Sequence, residues 1–236
     1  MQYNFIRVEN EGFVCNLTLA RAEKRNAFTP TMVNEIAHAL AIAHADPAIK
    51  LLILRAEGPV FSAGMDLKTF RDPLLDIPNP YIENSDVSLG EVMDRFHKPS
   101  IAIVEGDVIA GAFLLILGCT YVLAASSVRF RLPELELGIF PFQVMASLMK
   151  VMPEKKMLQL CLDSSYFDIN QAMSTGIVDE ILEVGTLERY RQLFADKQTA
   201  ALQAGIAACR ALPSVAAADR FSFLKKYLEQ FRDEKN

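Results

Sequence analysis

The chain has 236 residues and a formal net charge of -5 at pH 7, and 51% of its residues are hydrophobic while 22% are charged. These proportions are typical of a folded globular protein and exclude a disordered chain. The charge argues against nucleic acid as a partner, because binding a phosphate backbone needs a concentrated basic face and the sequence has no Lys/Arg block.

The amino terminus alternates like a strand and lacks the basic start and apolar run of a signal peptide, so we expect a cytoplasmic protein. The most apolar stretch, residues 108–117, is shorter than the roughly 20 residues needed to cross a bilayer. We therefore expect no membrane partner. The four cysteines contain no Cys-x-x-Cys pair, so the sequence predicts neither a zinc site nor a disulfide framework.

The first elements are predicted to be two strands, a helix and a third strand. Residues 4–8 and 13–19 alternate on either side of residues 10–12, Asn-Glu-Gly, which is a hairpin turn signal. Thr29 is then a candidate N-cap, with a proline after it at the first helical position and apolar residues at helical spacing. Residues 51–54 are apolar throughout, which predicts a buried strand.

The middle of the chain begins with a loop. Residues 72–86 contain three prolines with Asn and Asp, which predicts a loop or lid. A short helix over 87–96, a buried strand over 101–104 and a turn at Gly106 into apolar residues 112–117 follow.

After residue 128 the pattern becomes mainly helical. The predicted helices cover residues 143–152, 154–162, 170–175 and an Ala-rich segment from 187 onward. The sequence has no repeat and no clean linker, which favours a single domain with a helical carboxyl-terminal part.

Three separated segments carry the candidate chemistry, at residues 61–67, 106–112 and 132–138. The first two place small residues where a strand turns into a helix, so that backbone N–H groups are bare and the helix dipole lies behind them. Two such donors can form an oxyanion hole, which stabilises the negative charge that a thioester carbonyl gains when its α-proton leaves.

Taken together, these segments resemble the enoyl-CoA hydratase/isomerase (crotonase) superfamily. Phe-Ser-Ala-Gly-Met-Asp-Leu at 61–67 is similar to its first oxyanion-hole signature, and residues 106–111 are similar to the second. Lys-Arg-Asn-Ala at 24–27 is similar to its coenzyme-A loop, and Pro133-Glu134 falls where the family has a catalytic glutamate. The four motifs occur in the family's order.

The resemblance implies an α/β fold: a crotonase-like (ClpP/crotonase) spiral of ββα units in one domain, residues 1–236. The spiral core would occupy about 1–185 and a helical region about 186–236. It also implies an acyl-CoA substrate, no cofactor besides the coenzyme A of that substrate, no metal, and a homotrimer or dimer of trimers. The implied catalytic groups are Glu134 and the N–H groups of Met65 and Gly111. The implied substrate-binding residues are Lys24, Arg25, Ala27, Ala63, Asp66 and Leu114.

One position separates hydratases from isomerases within this resemblance. Hydratases carry a second glutamate three residues after the second oxyanion glycine, and this chain has Leu114 there. Adding water needs groups that hold and deprotonate the water and that deliver the α-proton, whereas one carboxylate suffices to move a double bond. The chain thus most resembles the mitochondrial-type Δ3,Δ2-enoyl-CoA isomerase, and residues 134–142, 176–179 and 227–235 support this subgroup.

Glu134 is the candidate for that single proton shuttle. The apolar residues Leu132, Leu135, Leu137, Phe140 and Phe142 surround it in the sequence, and desolvation by them would raise its pKa. Glu136 is a rival carboxylate, because residues two apart in an extended segment point to the same side.

Other functions stay open at this point. A weak hydratase, a decarboxylase or a non-catalytic paralogue that binds acyl thioesters or a partner subunit fits the same motifs. The segment after Pro213 is shorter than in typical members, and family contacts to the adenosine phosphate come from near there. Lys225 and Lys226 are possible substitutes, and an acyl-carrier-protein substrate is an alternative to coenzyme A.

Overall fold

The computed structural model describes residues 2–233, which form nine β-strands and ten α-helices. The strands are β1 (Ile6–Glu11), β2 (Val14–Leu19), β3 (Leu51–Ala56), β4 (Val60–Ser62), β5 (Ser100–Val104), β6 (Asp107–Ile109), β7 (Tyr121–Ala124), β8 (Phe130–Arg131) and β9 (Glu180–Ile181). The helices are α1 (Pro30–Ala45), α2 (Leu67–Arg71), α3 (Leu89–Asp94), α4 (Phe113–Ile116), α5 (Phe142–Leu148), α6 (Glu154–Leu162), α7 (Ile169–Ser174), α8 (Thr186–Ala195), α9 (Thr199–Ala211) and α10 (Arg220–Asp233).

The strands form two sheets that the chain builds in turn. The larger sheet has the order β1-β2-β3-β5-β7-β9, and the smaller has the order β4-β6-β8. Among the paired strands within residues 2–233, β1 and β2 alone are antiparallel. In each of the pairs β3/β4, β5/β6 and β7/β8, the first strand joins the larger sheet and the second strand joins the smaller one. The chain then enters a helical segment. This winding confirms the predicted α/β spiral of ββα units with a helical carboxyl-terminal region.

The first elements form close to the predicted positions. The β1–β2 hairpin pairs Ile6 with Leu19 and Glu11 with Val14, so the turn lies at residues 12–13, two residues later than the sequence signal suggests. Helix α1 begins as predicted, because the Thr29 side chain accepts a hydrogen bond from the Met32 N–H at 3.2 Å.

The larger sheet buries both faces. Val14, Leu51 and Ile53 lie on the face that packs against Phe194 of α8. The alternate residues of the same strands, such as Cys15 and Leu52, face the main core beneath the other helices. Strands buried on both sides have no polar face, and this explains the continuous apolar runs in the sequence.

The carboxyl-terminal helices α8, α9 and α10 follow β9. Arg210 of α9 pairs with Asp94 of α3 and donates a hydrogen bond to the Gly118 carbonyl at 3.0 Å, so this region is tied to the core. The division near residue 185 stays a prediction. Of the sequence features at 227–235, Glu234 and Lys235 lie outside the described residues. Across residues 2–233, no helix is both long and apolar enough to cross a membrane.

Candidate active site

The smaller sheet brings the three candidate segments to one edge. Strand β6 lies between β4 and β8, and all three run parallel. Their carboxyl ends therefore meet at the same edge, which is where ligands bind in open parallel sheets. Strand β4 leads to Met65, β6 leads to Gly111 and β8 leads to Glu134. Because β6 is the middle strand, the Gly111 segment lies between the segments that carry Met65 and Glu134.

Met65 presents a bare backbone N–H at this edge. The residue before it, Gly64, accepts a hydrogen bond from the Phe28 N–H at 2.7 Å. The residue after it, Asp66, donates its N–H to the Phe28 carbonyl at 2.8 Å. The Met65 N–H itself has no protein acceptor in the described part of the chain. The bonds on both sides thus fix the direction of an unpaired donor.

Gly111 supplies a second bare N–H beside the first. It lies in a 3₁₀ turn at Ala110–Ala112 that leads into α4, and within residues 2–233 its N–H also has no protein acceptor. A Cβ built on Gly64 would lie 3.0 Å from the Gly111 nitrogen, and one built on Gly111 would lie 3.9 Å from the Met65 nitrogen. The two amides are therefore neighbours, as an oxyanion hole requires.

A non-glycine residue takes an unusual conformation next to Gly111. Ala110 has φ +54°, in the left-handed region that favours glycine. A Cβ on Gly64 would lie only 2.8 Å from the Ala110 Cβ. The Ala110 methyl group therefore fills the space in front of Gly64.

Asn26 and Ser62 hold the first donor segment from behind. The Ser62 hydroxyl donates to the Asn26 carbonyl at 2.8 Å and accepts from the Gly64 N–H at 3.1 Å. The Asn26 side chain, which is fully buried, donates to the carbonyls of Glu57 and Val60. Its Oδ1 accepts from the Arg21 N–H at 2.9 Å. Sequence reasoning missed this positioning role, because the carbonyls that the Asn26 side chain binds are more than 30 residues away.

The predicted coenzyme-A loop lies beside the Met65 segment. Lys24 and Arg25 are exposed at the end of a 3₁₀ turn, and Ala27 is buried. The Ala63 N–H donates to the Arg25 carbonyl at 2.9 Å, which joins the loop to the donor segment. Two cationic side chains therefore face solvent on the Met65 side of the site.

Asp66 caps α2 and forms an ion pair. Its carboxylate accepts from the Lys68 and Thr69 N–H groups and from Arg21 Nη1 at 2.8 Å. Burial alone would raise the pKa of Asp66, but the hydrogen bonds from Arg21 and from these backbone groups bring that pKa below its ordinary value. Asp66 therefore caps α2 in its ionised form, and its contact with substrate stays a prediction.

Glu134 is a buried carboxyl group with an unused oxygen. Its exposed fraction is 7%, and among residues 2–233 no hydrogen-bond partner reaches its Oε2. Burial raises the pKa of Glu134, and a hydrogen bond from its own backbone N–H offsets part of that rise. Because no protein group pairs with Oε2, this oxygen is available to a bound molecule or to water.

The apolar residues expected to desolvate Glu134 differ in burial. Leu135, Leu137 and Phe142 are 39%, 55% and 74% exposed, whereas Leu132 is buried, so which of them cover the carboxyl group stays a prediction. Cys161 of α6 is fully buried nearby, and burial together with the charge of Glu134 raises the pKa of its thiol to about 11. A neutral thiol from a later helix therefore lies close enough to Glu134 to interact with its charge.

Glu136 points elsewhere. The segment Glu134–Leu137 is a 3₁₀ turn rather than an extended strand, so residues two apart do not share a face. Both carboxylate oxygens of Glu136 accept from Arg131 Nη2, at 2.6 and 2.7 Å, and its side chain is 55% exposed. The pairing leaves Glu134 as the only carboxyl group of this turn that is buried.

Leu114 lies one turn beyond Gly111 in α4 and is 7% exposed. Residues three apart in such a turn share a face, so its side chain lies on the Gly111 side. Leu114 is thus a buried apolar residue next to the turn that carries Gly111.

Comparison with protein families gives one match that covers most of the chain. The model of the family described as "Enoyl-CoA hydratase/isomerase" matches residues 9–231. A protein named "Probable enoyl-CoA hydratase" from Rhizobium meliloti is 29% identical over 184 residues, which is 77% of this chain and 70% of that protein. The "Hydroxycinnamoyl-CoA hydratase-lyase" of Pseudomonas fluorescens is 28% identical over 224 residues, 89% of this chain and 81% of its own.

Solved structures agree on the fold. The crystal structure of an enoyl-CoA hydratase/isomerase from Marinobacter aquaeolei superposes with a TM-score of 0.84 at 23% identity, covering 98% of this chain and 90% of the other. At this identity the likeness concerns the fold.

Proposed function

The chain belongs to the enoyl-CoA hydratase/isomerase family, and on that premise we propose that it is an isomerase that moves the double bond of a 3-enoyl-CoA to position 2. In the proposed reaction Glu134 is the base, and the N–H groups of Met65 and Gly111 bind the thioester oxygen. The carboxylate takes a proton from C2, the electrons pass into the conjugated dienolate, and the same carboxyl group returns the proton to C4. No atom is gained or lost.

The oxyanion donors supply the electrostatic part of this mechanism. Negative charge develops on the thioester oxygen as the C2–H bond breaks, and one well-aimed donor is typically worth about 3 to 4 kcal/mol in such a transition state. The Met65 and Gly111 amides have no competing protein acceptor in the described part of the chain. They are thus oriented before substrate arrives.

The observation that carries the proposal is that Glu134 is the only buried carboxyl group of its turn. It is buried with one oxygen unpaired, while Glu136 is occupied by Arg131 and Leu114 is apolar. Moving one proton between two carbons needs one base of adjustable protonation state, whereas hydration needs a second group to handle water. A single raised-pKa carboxyl group suits the first reaction better.

Coenzyme A is the proposed carrier, and Lys24 and Arg25 are its proposed phosphate contacts, because both cations are exposed beside the Met65 segment. An acyl-carrier protein would present the same phosphopantetheine arm and is the alternative carrier. A homotrimer or dimer of trimers, with no cofactor besides the substrate's coenzyme A and no metal, stays part of the proposal.

Hydration is the second candidate function. Several relatives are named enoyl-CoA hydratases, among them the proteins from Rhizobium meliloti and Thermus thermophilus. The same oxyanion donors would serve that reaction, with Glu134 as the group that activates water.

One assay separates the two candidates. Purified protein is given a 3-enoyl-CoA and, separately, a 2-enoyl-CoA, and the ultraviolet absorbance of the conjugated 2-enoyl thioester is followed. An isomerase makes this absorbance rise with the first substrate, whereas a hydratase makes it fall with the second. Hydration faster than isomerisation would replace the proposed function by the second candidate, and absence of both would leave a binding protein.

The pH dependence of isomerisation tests the state of the base. Glu134 must be ionised to take the first proton, and burial holds its pKa above the ordinary value of 4.5. We therefore expect kcat/KM to fall as the pH drops through a value above 4.5, which a pH profile of kcat/KM measures. An acid limb at or below 4.5 would contradict a desolvated base.

A further inference from the structure

Arg21 binds two segments that meet at the oxyanion site. One nitrogen of its guanidinium group, Nη1, donates to the Ala27 carbonyl at 2.8 Å and to Oδ2 of Asp66 at 2.8 Å. The side chain is 11% exposed, and its guanidinium carbon lies 5.3 Å from the centre of the Phe5 ring. A largely buried cation therefore lies between the proposed coenzyme-A loop and the residue that follows Met65.

The Ala27 carbonyl connects this cation to the Met65 donor through two peptide groups. The first peptide group contains the Ala27 carbonyl, which accepts from Arg21, and the Phe28 N–H. That N–H donates to the Gly64 carbonyl at 2.7 Å, and the second peptide group contains this carbonyl and the Met65 N–H. A hydrogen bond that a carbonyl accepts polarises its peptide group, so the N–H of the same group becomes a stronger donor. The hydrogen-bonded chain thus begins at a cation and ends at the unpaired Met65 N–H.

The two oxyanion donors differ in what lies behind them. The Gly111 N–H belongs to the peptide group of the Ala110 carbonyl, and this carbonyl accepts from the Phe113 N–H. The donor behind Gly111 is therefore a neutral backbone group, whereas the chain behind Met65 begins at a full positive charge. Hydrogen bonds from ionised groups are the stronger kind.

Arg21 also compensates for an unfavourable charge. The Asp66 carboxylate follows Met65 in the chain, and it would repel the negative charge that develops on the thioester oxygen. The Asp66 side chain is 15% exposed, so solvent screens this charge only in part. The guanidinium group of Arg21 at 2.8 Å offsets it. Removing the cation would weaken the Met65 donor and leave an uncompensated carboxylate beside it.

We propose that Arg21 is a positioning residue of the oxyanion hole, which orients and polarises the Met65 N–H through the two peptide groups between them. This rests on the proposed function, because it takes an acyl thioester as ligand. Arg21 acts through the backbone and not by touching the substrate. The chain is complete before the substrate binds, so no reorganisation is needed when charge develops. The effect falls on kcat more than on KM, because the donor binds the developing charge more strongly than the neutral carbonyl.

The test observes the thioester carbonyl itself, so that it does not depend on turnover. Hexanoyl-CoA, which has no double bond to move, is isotope-labelled at the carbonyl carbon and bound at saturation. Infrared difference spectroscopy then gives the carbonyl stretching frequency, which we expect wild type to lower relative to free hexanoyl-CoA. Arg21→Met is expected to lose at least about a tenth of this shift, the contribution of one polarised bond.

The kcat of isomerisation gives a second measure of the same variant. Loss of a whole oxyanion donor lowers kcat about 100- to 1,000-fold. Arg21→Met weakens one donor without removing it, so we expect kcat to fall at least about tenfold while KM changes less. Should Arg21→Met fail to fold, Arg21→Gln takes its place with the same expectations, because glutamine also carries no charge.

Arg21→Lys and Lys98→Met are the matched variants. A lysine ammonium group can donate to both acceptors of Nη1, so Arg21→Lys is expected to keep the carbonyl shift. Lys98 is also a buried cation that binds two carbonyls, those of Ala43 and Asp46, but it does so at the carboxyl end of α1. Lys98→Met is expected to lower the thermal unfolding midpoint and to leave the carbonyl shift and kcat as in wild type.

The outcomes separate this inference from the proposed function. An unchanged carbonyl shift in folded Arg21→Met would overturn the role of Arg21, and so would an equal loss in Lys98→Met. Wild type that leaves the frequency of bound hexanoyl-CoA unchanged would overturn the oxyanion hole and this inference with it. A shift that depends on Arg21 in a protein without isomerase activity would instead overturn the proposed reaction and support the positioning role.

Discussion

Replacing Glu134 by glutamine is expected to lower the kcat of isomerisation at least about 100-fold, because a general base contributes about 100- to 10,000-fold. The amide matches the carboxyl group in shape but cannot take a proton from C2. Stopped-flow or steady-state measurement of the conjugated thioester gives kcat. Burial raises the pKa of Glu134, so ionising it costs stability as the pH rises, and the neutral amide avoids this cost. The thermal unfolding midpoint at pH 8 is therefore expected to equal or exceed that of wild type.

Glu136→Gln is the matched control. It makes the same chemical change two residues away, at a side chain that is paired with Arg131 and 55% exposed. We expect its kcat to stay within about twofold of wild type, since an exposed ion pair contributes little. Equal losses in the two variants would show that the integrity of the turn, and not one base, determines activity. Full activity of Glu134→Gln would show that another group is the base.

Gly64→Ala is expected to lower kcat about 100- to 1,000-fold, the range seen when one oxyanion donor is lost. The new Cβ would lie 2.8 Å from the Ala110 Cβ and 3.0 Å from the Gly111 nitrogen, so the two donor segments must move apart. Comparison of kcat for wild type and variant checks the expectation. KM is expected to change less than kcat, because the donors bind the developing charge more strongly than the neutral carbonyl.

Gly185→Ala is a control that distinguishes backbone strain from displacement of the oxyanion donors. Gly64 and Gly185 both have positive φ, +81° and +87°, but nothing lies within 4 Å of a Cβ on Gly185. Both variants incur the cost of a non-glycine residue in the left-handed region, about 1 to 2 kcal/mol of unfolding free energy. Only Gly64→Ala should lose activity. A similar loss in both would attribute the effect to reduced stability.

The fold was predictable where its signals are local. Thr29 and the proline after it mark the start of α1 at the predicted residue, and the apolar run at 51–54 marks β3. The small sheet was not predicted, because β4, β6 and β8 have two or three residues each and show no periodicity. Their strand conformation comes from pairing with segments that are distant in the chain, and a single sequence does not display that pairing.

The motifs of the candidate site were predictable from the sequence, but the surroundings of the Glu134 carboxyl group were not. Gly111 and Glu134 follow from family resemblance, and the structure places their segments at one edge. The proximity of Cys161 to Glu134 depends on the tertiary position of α6, and the burial of Leu132 beside the exposure of Leu135 and Phe142 does not follow from their shared apolar character. The role of Glu136 depended on turn geometry, which periodicity does not determine.

Ala110 ties the choice of residue at one position to the choice at another. Its methyl group stands in a conformation that glycine would adopt freely, and the same methyl group occupies the space that a side chain at Gly64 would need. Exchanging Ala110 for glycine would relieve the backbone strain at position 110. It would also remove the methyl group that a side chain at position 64 would meet first. The effects of substitutions at 64 and 110 are therefore epistatic, and a lineage that acquires alanine at 110 narrows its own later access to side chains at 64.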